Sequence, residues 1–295
     1  MALRIAAVTH VRKDDFFLDI WVKHYGQILG REHLYVMLDG DDWKTEVDLS
    51  GVNVSYMKGR SGHRIADNER FIKAHWDLMT ELDDQYDLFV RGDCDELVCV
   101  DPQSGRSFQE AVQDAMDIGY RYTKGIEVVE VPGEAPLDPT KPLMGQRSVG
   151  AISKLYVKPN IVTGPTELTI GGHVAVGKPV VMSDDLLMMH MANASLLHLE
   201  MKVGVRTAEQ VGVTFTNHTS GRLSLTRNVA ACEDVVPYDE IAQKIYNEIG
   251  KRGKGSATRP RDLKTHNAIY GHDVEKPWVN KIMVVTLPER FADML

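Results

Sequence analysis

The chain is poor in cysteine: among its 295 residues only Cys94, Cys99 and Cys232 occur. They fall in no metal-binding spacing and are odd in number, which excludes a disulfide framework and points to a reduced, cytoplasmic setting. Cys94 sits among carboxylates that disfavour a thiolate, so it reads as a filler and not a nucleophile. Long apolar runs are also missing. Nothing approaches the roughly 20 residues needed to cross a bilayer, and the opening Met1-Ala2-Leu3-Arg4 turns polar too soon for a signal peptide. Positive charge is in deficit: 34 Lys and Arg against 42 Asp and Glu leave a net charge of −8. That excludes a general nucleic-acid binder, which needs a positive surface, but not a phosphate ligand held by a local cation or metal. No internal repeat or long linker breaks the chain.

With 43% apolar and 26% charged residues, this is an ordinary folded composition with enough length for a substantial core. Residues 5–8 read as a strand and Thr9-His10-Val11-Arg12-Lys13-Asp14 as a polar turn. A helix follows with Phe17, Ile20, Trp21, Tyr25 and Ile28 on one face, capped by Asp14 or Asp15 and ended by Gly30. A strand over 34–38 ends at Asp39-Gly40, and Val52, Val54 and Tyr56 alternate as a third strand. A helix over 67–83, with Phe71 or Ile72, Trp76, Met79 and Leu82 inward, leads to the strand Leu88-Phe89-Val90. This alternation predicts an α/β fold, an open, mixed but mostly parallel sheet flanked by helices. Ligands of such sheets bind beyond the carboxyl ends of the strands, which places the 9–14 turn, Asp39 and Asp93 on one rim. Further on, the pattern predicts a helix over 107–118, strands over 127–131, 154–157 and 169–176, and an apolar run 186–189 ending at His190. A helix over 194–209 follows. Another opens at Pro237, with Tyr238, Ile241, Ala242, Ile245 and Ile249 inside. Its polar face carries Glu240 and Glu248 beside Lys244, so membrane contact at the periphery is the least favoured of its roles.

The chemistry concentrates in Phe89-Val90-Arg91-Gly92-Asp93-Cys94-Asp95-Glu96. Carboxylates crowded at the end of a buried strand repel one another and lose hydration. A divalent cation such as Mg²⁺ or Mn²⁺ offsets both costs and bridges to phosphate oxygens. Asp93 and Asp95 are therefore the candidate metal ligands, and Glu96 an outer support. His190 is the first candidate for a third ligand and His173, after two glycines, the second. His198 reads as packing, and His10, His24, His63 and His75 have no claim beyond position, although His10 lies near the rim. Asp39 reads equally as a ribose or base acceptor and as a tight turn. Arg12 reads equally as a forked diphosphate donor and as a solvated charge. Asn68 reads as a nucleotide contact or as a helix cap.

In order along the chain, several blocks resemble bacterial glycosyltransferases of the family 2 type. They are Val11-Arg12-Lys13-Asp14, Trp21-Val22-Lys23-His24-Tyr25, Gly30, the strand into Asp39, and Asp93-Cys94-Asp95-Glu96. Further on come Gln146-Arg147, Lys154 to Pro159, Gly171-Gly172-His173, the run into His190, and Leu287-Pro288-Glu289-Arg290-Phe291. The resemblance implies a GT-A fold over 1–210, with a nucleotide-binding half at about 1–100 and an acceptor half at about 101–210. A C-terminal helical extension over 211–295 would pack on the same domain. It implies transfer of a sugar from a nucleoside-diphosphate sugar to a hydroxyl of a glycan or lipid-linked acceptor, as in polysaccharide assembly, with Mn²⁺ or Mg²⁺. Thr9, Val11, Arg12, Asp14, Asp39, Asn68 and Asp93 would contact the donor; Asp93, Asp95, His190 and His173 are the metal candidates. Glu134 and Asp138 are candidate bases by loop position, and Arg147 a candidate catalytic residue. Leu97 departs from the aromatic often found after the Asp-x-Asp-Glu block. The alternatives are a nucleotidyltransferase acting on sugar phosphates, against which the glycine-free first turn counts, and an inactive scaffold of the same fold.

Overall fold

The computed structural model describes residues 3–153, 156–208, 213–252 and 282–295. β1 (Ile5–Val11) is buried along almost its whole length, as expected of a strand covered on both faces. It runs parallel to β2 (Leu34–Asp39) on one side and to β4 (Leu88–Arg91) on the other, and β3 (Asn53–Met57) extends the parallel set beyond β2. α1 (Asp15–Leu29) links β1 to β2, and α2 (Arg64–Glu81) links β3 to β4. The side chain of Asp14 caps α1 by accepting from the Phe17 N–H. Met79 and Leu82 face the core as predicted, but Trp76 is turned outward and His75 is buried in its stead.

Beyond β4 the sheet changes character. β5 (Glu96–Val100) is antiparallel to β9 (Met182–Asn193), and β9 is parallel to β6 (Tyr120–Val129). β7 (Val149–Ser153) and β8 (Lys158–Val162) both run antiparallel to β6, β7 along its second half and β8 along its first, and β8 closes onto β4. The sheet is therefore mixed in roughly equal parts, which corrects the expectation of a mostly parallel one. Parallel neighbours need long crossovers, and 154–157 is too short for one, so β7 and β8 continue in one direction along β6.

The break between them has a steric cause. A Cβ on Gly125 would lie 2.1 Å from the carbonyl oxygen of Tyr156, so only glycine lets that backbone approach. The strand expected over 154–157 is thus an interruption, with Lys154 and Leu155 outside the described residues. The strand expected over 169–176 is instead a 3₁₀ turn, Ile170–Gly172, because Gly171 and Gly172 both have positive φ. The expected 107–118 helix shortens to α3 (Phe108–Gln113), opened by a Ser107–Glu110 capping box and followed by a 3₁₀ turn.

The segment after 193 forms α4 (Leu196–Ala208), α5 (Val213–Ala230) and α6 (Tyr238–Arg252); Glu209, at the expected end of α4, lies outside the described residues. The extension is not purely helical. β10 (Val236–Pro237) pairs with β11 (Ile282–Thr286), and β11 lies antiparallel on β7, burying Met283, Val284 and Val285 in the sheet. The apolar face of α6 is buried as predicted, and the Tyr246 hydroxyl donates to the Gly125 carbonyl at 3.0 Å.

α1 also secures the second half of the sheet. Tyr25 accepts the Val98 N–H at 2.8 Å, and His24 Nε2 lies 2.9 Å from the Val98 carbonyl oxygen. Two consecutive helix residues thereby satisfy the backbone of β5 on the side away from β9. Tyr25→Phe leaves that buried N–H unpaired and should cost about 1–3 kcal/mol by denaturant titration. Burial pushes the His24 imidazole down to about 4 from 6.5. A folded-state value below the unfolded one means that this contribution is complete above about pH 6.5 and is lost as pH falls toward 4. Melting temperatures at pH 7 and pH 5 should therefore differ more for the wild type than for His24→Gln.

Candidate active site

The parallel strands β1, β2 and β4 end on the same side, so the segments that follow them converge. One cavity receives all three: Val11 to Asp14 after β1, Asp39 at the end of β2, and Arg91 with Asp93 to Glu96 after β4. α2 adds Asp67, Asn68, Phe71, Ile72 and His75. The stretch opposite Gly125 adds Tyr156 and Lys158, the double-glycine turn adds His173, and α4 and α5 bring Lys202, Val205 and Arg222.

Most of the residues predicted for the donor side border this cavity. The Arg12 fork grips both oxygens of Asp42 at 2.8 Å and donates to the Asp39 carbonyl at 2.7 Å. Asp39 itself is buried and faces Arg70 Nη2 at 2.7 Å. Asn68 lies inside α2, whose N-cap position is His63, so helix capping does not explain it. Lys13 holds a left-handed backbone, φ 47°, an uncommon conformation for a side-chain-bearing residue that gathers at functional loops. Thr9 is fully buried within β1 and does not border the cavity.

The acidic turn is built from pairings the local sequence conceals. Buried Glu96 is paired with buried Lys158 of β8, and burial pushes its carboxyl up against the pull of that lysine. Asp93 is half-exposed, with Oδ1 3.7 Å from His10 Nε2. His10 stacks on Phe71 at 4.1 Å and hydrogen-bonds buried His75 at 3.1 Å. Asp95 is buried. Burial drives its carboxyl up, but Lys202, His190, Arg222 and Lys158 outweigh burial and hold it far below the usual carboxylate range. Lys202 lies 3.5 Å from Asp95 Oδ2 and 2.5 Å from Asp14 Oδ2.

His190 does not end its strand as expected. It lies inside β9, with Glu96 opposite it on β5 and Glu127 opposite it on β6. Its ring stacks on Tyr156 at 3.9 Å, and Nδ1 meets Glu127 Oε2 at 2.6 Å. Nε2 points to Asp95, 3.7 Å from an Oδ1 that is buried and accepts no hydrogen bond from the described residues.

No group of three or more His, Cys, Asp or Glu that could hold a metal ion occurs among the described residues. A two-donor arrangement nevertheless suits Mg²⁺ or Mn²⁺. Such ions take one or two protein ligands and complete their octahedron with water and substrate phosphate. The buried, unpartnered Asp95 oxygen faces a ring nitrogen, and a carboxylate fixes the other ring nitrogen, the usual outer support of a metal-bound histidine. Asp95 and His190 therefore fit the ion; Asp93 lies on the same turn as Asp95, with its side chain 3.7 Å from His10. His173 lines the cavity at the edge of Tyr156, 6.2 Å between ring centres.

Three predicted catalytic residues lie outside the cavity lining. Glu134 binds the Val131 and Ser148 N–H groups and the Ser148 hydroxyl. Asp138 closes a turn with Thr140 and Lys141, and those hydrogen bonds hold its carboxyl at about 2, too low for an effective base near neutrality. Arg147 is buried, donating to the Ala194 and Ala135 carbonyls and pairing with Glu130. Glu130 in turn accepts the Leu196 N–H at the start of α4. Arg147 and Glu130 thus hold the backbone around the start of α4. Glu127, Tyr156, Lys158, Lys202 and Arg222 were given no role in the sequence reading, and His10 and His75 no claim beyond position, since each meets its partner only across the fold. His198 packs as expected, stacked on Phe16 at 3.6 Å.

No protein-family model matches the chain, and no curated protein matches it. A solved structure described as a proposed nucleotide-diphospho-sugar transferase from Desulfovibrio desulfuricans is similar at 17% identity and a TM-score of 0.25, over 42% of this chain. The chain spans 59% of that protein's length. A likeness this low carries no argument, so function must be argued from the site itself.

Lys158→Met strands the buried Glu96 carboxylate and should lower stability by about 3–5 kcal/mol. Adding Glu96→Leu should recover most of that loss in the same denaturant titration.

Proposed function

We propose that this chain is a metal-dependent glycosyltransferase that uses a nucleoside-diphosphate sugar as donor. The observation that carries the reading is a cavity at the carboxyl ends of three parallel strands, lined by Asp93 and Asp95, with the buried His190 Nε2 behind it 3.7 Å from the Asp95 Oδ1. In the reaction an acceptor hydroxyl oxygen bonds the anomeric carbon and gives up its proton to solvent. The bond from that carbon to the diphosphate breaks, and its electron pair leaves with the diphosphate. Asp95 and His190, with Asp93, would hold Mn²⁺ or Mg²⁺. Such an ion neutralises the charge that develops on the leaving diphosphate.

The chain's own residues prepare the site. Glu127 keeps the His190 proton on Nδ1 and its lone pair toward Asp95. Lys158 neutralises Glu96, so the turn presents Asp93 and Asp95 rather than three competing charges. Arg12, Asp14, Asp39 and Asn68 border the side assigned to the nucleotide. The acceptor is a hydroxyl of a glycan or a lipid-linked glycan, and no helix among the described residues is long and apolar enough to cross a membrane.

Calorimetry with nucleoside diphosphates and their sugars, with and without Mn²⁺, tests the reading. Binding should require the ion, and Asp95→Ala should weaken it at least tenfold. Asp93→Ala and Asp95→Ala should abolish transfer with the fold retained, and wild-type turnover in either removes the metal role. Release of pyrophosphate in place of a nucleoside diphosphate would identify a nucleotidyltransferase instead. Failure of every nucleotide to bind would leave an inactive scaffold.

A further inference from the structure

Arg222 reaches into the site from α5. Its Nη1 donates to His190 Nε2 at 3.2 Å, its Nη2 donates to the Tyr156 hydroxyl at 3.4 Å, and it lies 3.9 Å from Asp95 Oδ2. An arginine can only donate, so Nε2 must be the accepting nitrogen, and a ring nitrogen has one in-plane lone pair. The other ring nitrogen is taken by Glu127. A metal ion on His190 would need the lone pair that Arg222 now holds, so the two occupancies exclude each other. Lys202 differs: it is anchored on Asp14 and approaches Asp95 Oδ2, leaving the Oδ1 that faces His190.

Resting on the glycosyltransferase reading, we propose that Arg222 has two positions: seated on His190 when no ion is bound, and displaced into the cavity by the ion, where it binds the donor's diphosphate. The charges support both halves. Without an ion, the guanidinium offsets the carboxylates of Asp95 and Glu127. A divalent ion takes over that role and repels it, and an incoming diphosphate supplies a new anionic partner whose geometry a guanidinium fork matches. Arg222 already lines the cavity with a side chain 17% exposed, so the move needs a rotamer change and no refolding of α5.

The test measures Mn²⁺ and nucleoside-diphosphate affinity by calorimetry on the full chain, for the wild type, Arg222→Met and Arg227→Met. Arg227 is an exposed cation in the last turn of the same helix. Removing the competitor should tighten Mn²⁺ binding about tenfold in the absence of nucleotide. The same substitution should weaken nucleoside-diphosphate binding about tenfold at saturating Mn²⁺. Arg227→Met should change neither. These opposite signs separate the proposal from a structural role, which would move both affinities the same way or neither. Arg222→Gln should reproduce both signs if the methionine variant melts early. Wild-type Mn²⁺ binding with unchanged or weaker binding in both Arg222 variants overturns the two-position proposal and leaves the metal site standing. Absence of Mn²⁺ binding in wild type and variants alike overturns the metal site and the proposal together.

Discussion

Burying carboxylates at the crossing between β4 and β5 is the constraint around which this molecule is arranged. An unpaired charge in a low-dielectric interior is costly, and the turn brings Asp93, Asp95 and Glu96 together within four residues. The chain supplies cations from three distant places, Lys158 on β8, Lys202 on α4 and Arg222 on α5, and an imidazole from His190 on β9. Each element is held where its cation can reach. The C-terminal helices contribute Lys202 and Arg222 to the site as well as cover to the sheet.

Two local devices make that convergence possible. Gly125 lets the 156 backbone cross β6 at close range, which sets the Tyr156 ring on His190 and starts β8 so that Lys158 meets Glu96. His24 and Tyr25 fasten α1 to the free edge of β5, the strand that begins at Glu96. The Arg147–Glu130 network then fixes the start of α4. A residue expected to act on substrate thus acts on the helix that delivers Lys202.

The legible parts of the sequence were those whose physics is local. The parallel first half of the sheet, the α1 cap at Asp14 and the buried face of α6 follow from apolar runs, capping side chains and helical spacing. The rim formed by the end of β1, Asp39 and Asp93 followed from strand order, although β1 runs on through Val11, so the turn is shorter than the expected 9–14 and Thr9 is buried in the strand. The antiparallel second half was not legible, because strand direction there depends on which edge of β6 receives β7 and β8. Nor was the 169–176 stretch, where consecutive glycines in left-handed conformations override an apolar alternation. Glu134 and Asp138 looked available by loop position, whereas the folded chain uses them to close turns, Asp138 with Thr140 and Lys141 and Glu134 with Val131 and Ser148.

From the sequence alone came the acidic turn at a strand end, the candidate histidines and an α/β frame that opens such a turn onto a cavity. These depend on spacing along the backbone, which primary structure encodes directly. Only the tertiary structure decided which histidine faces Asp95, that Glu127 orients it, and that Lys158, Lys202 and Arg222 balance the charge. Those relations join residues separated by tens to more than a hundred positions, and their energy exists only once water is excluded and the partners are within a few ångströms.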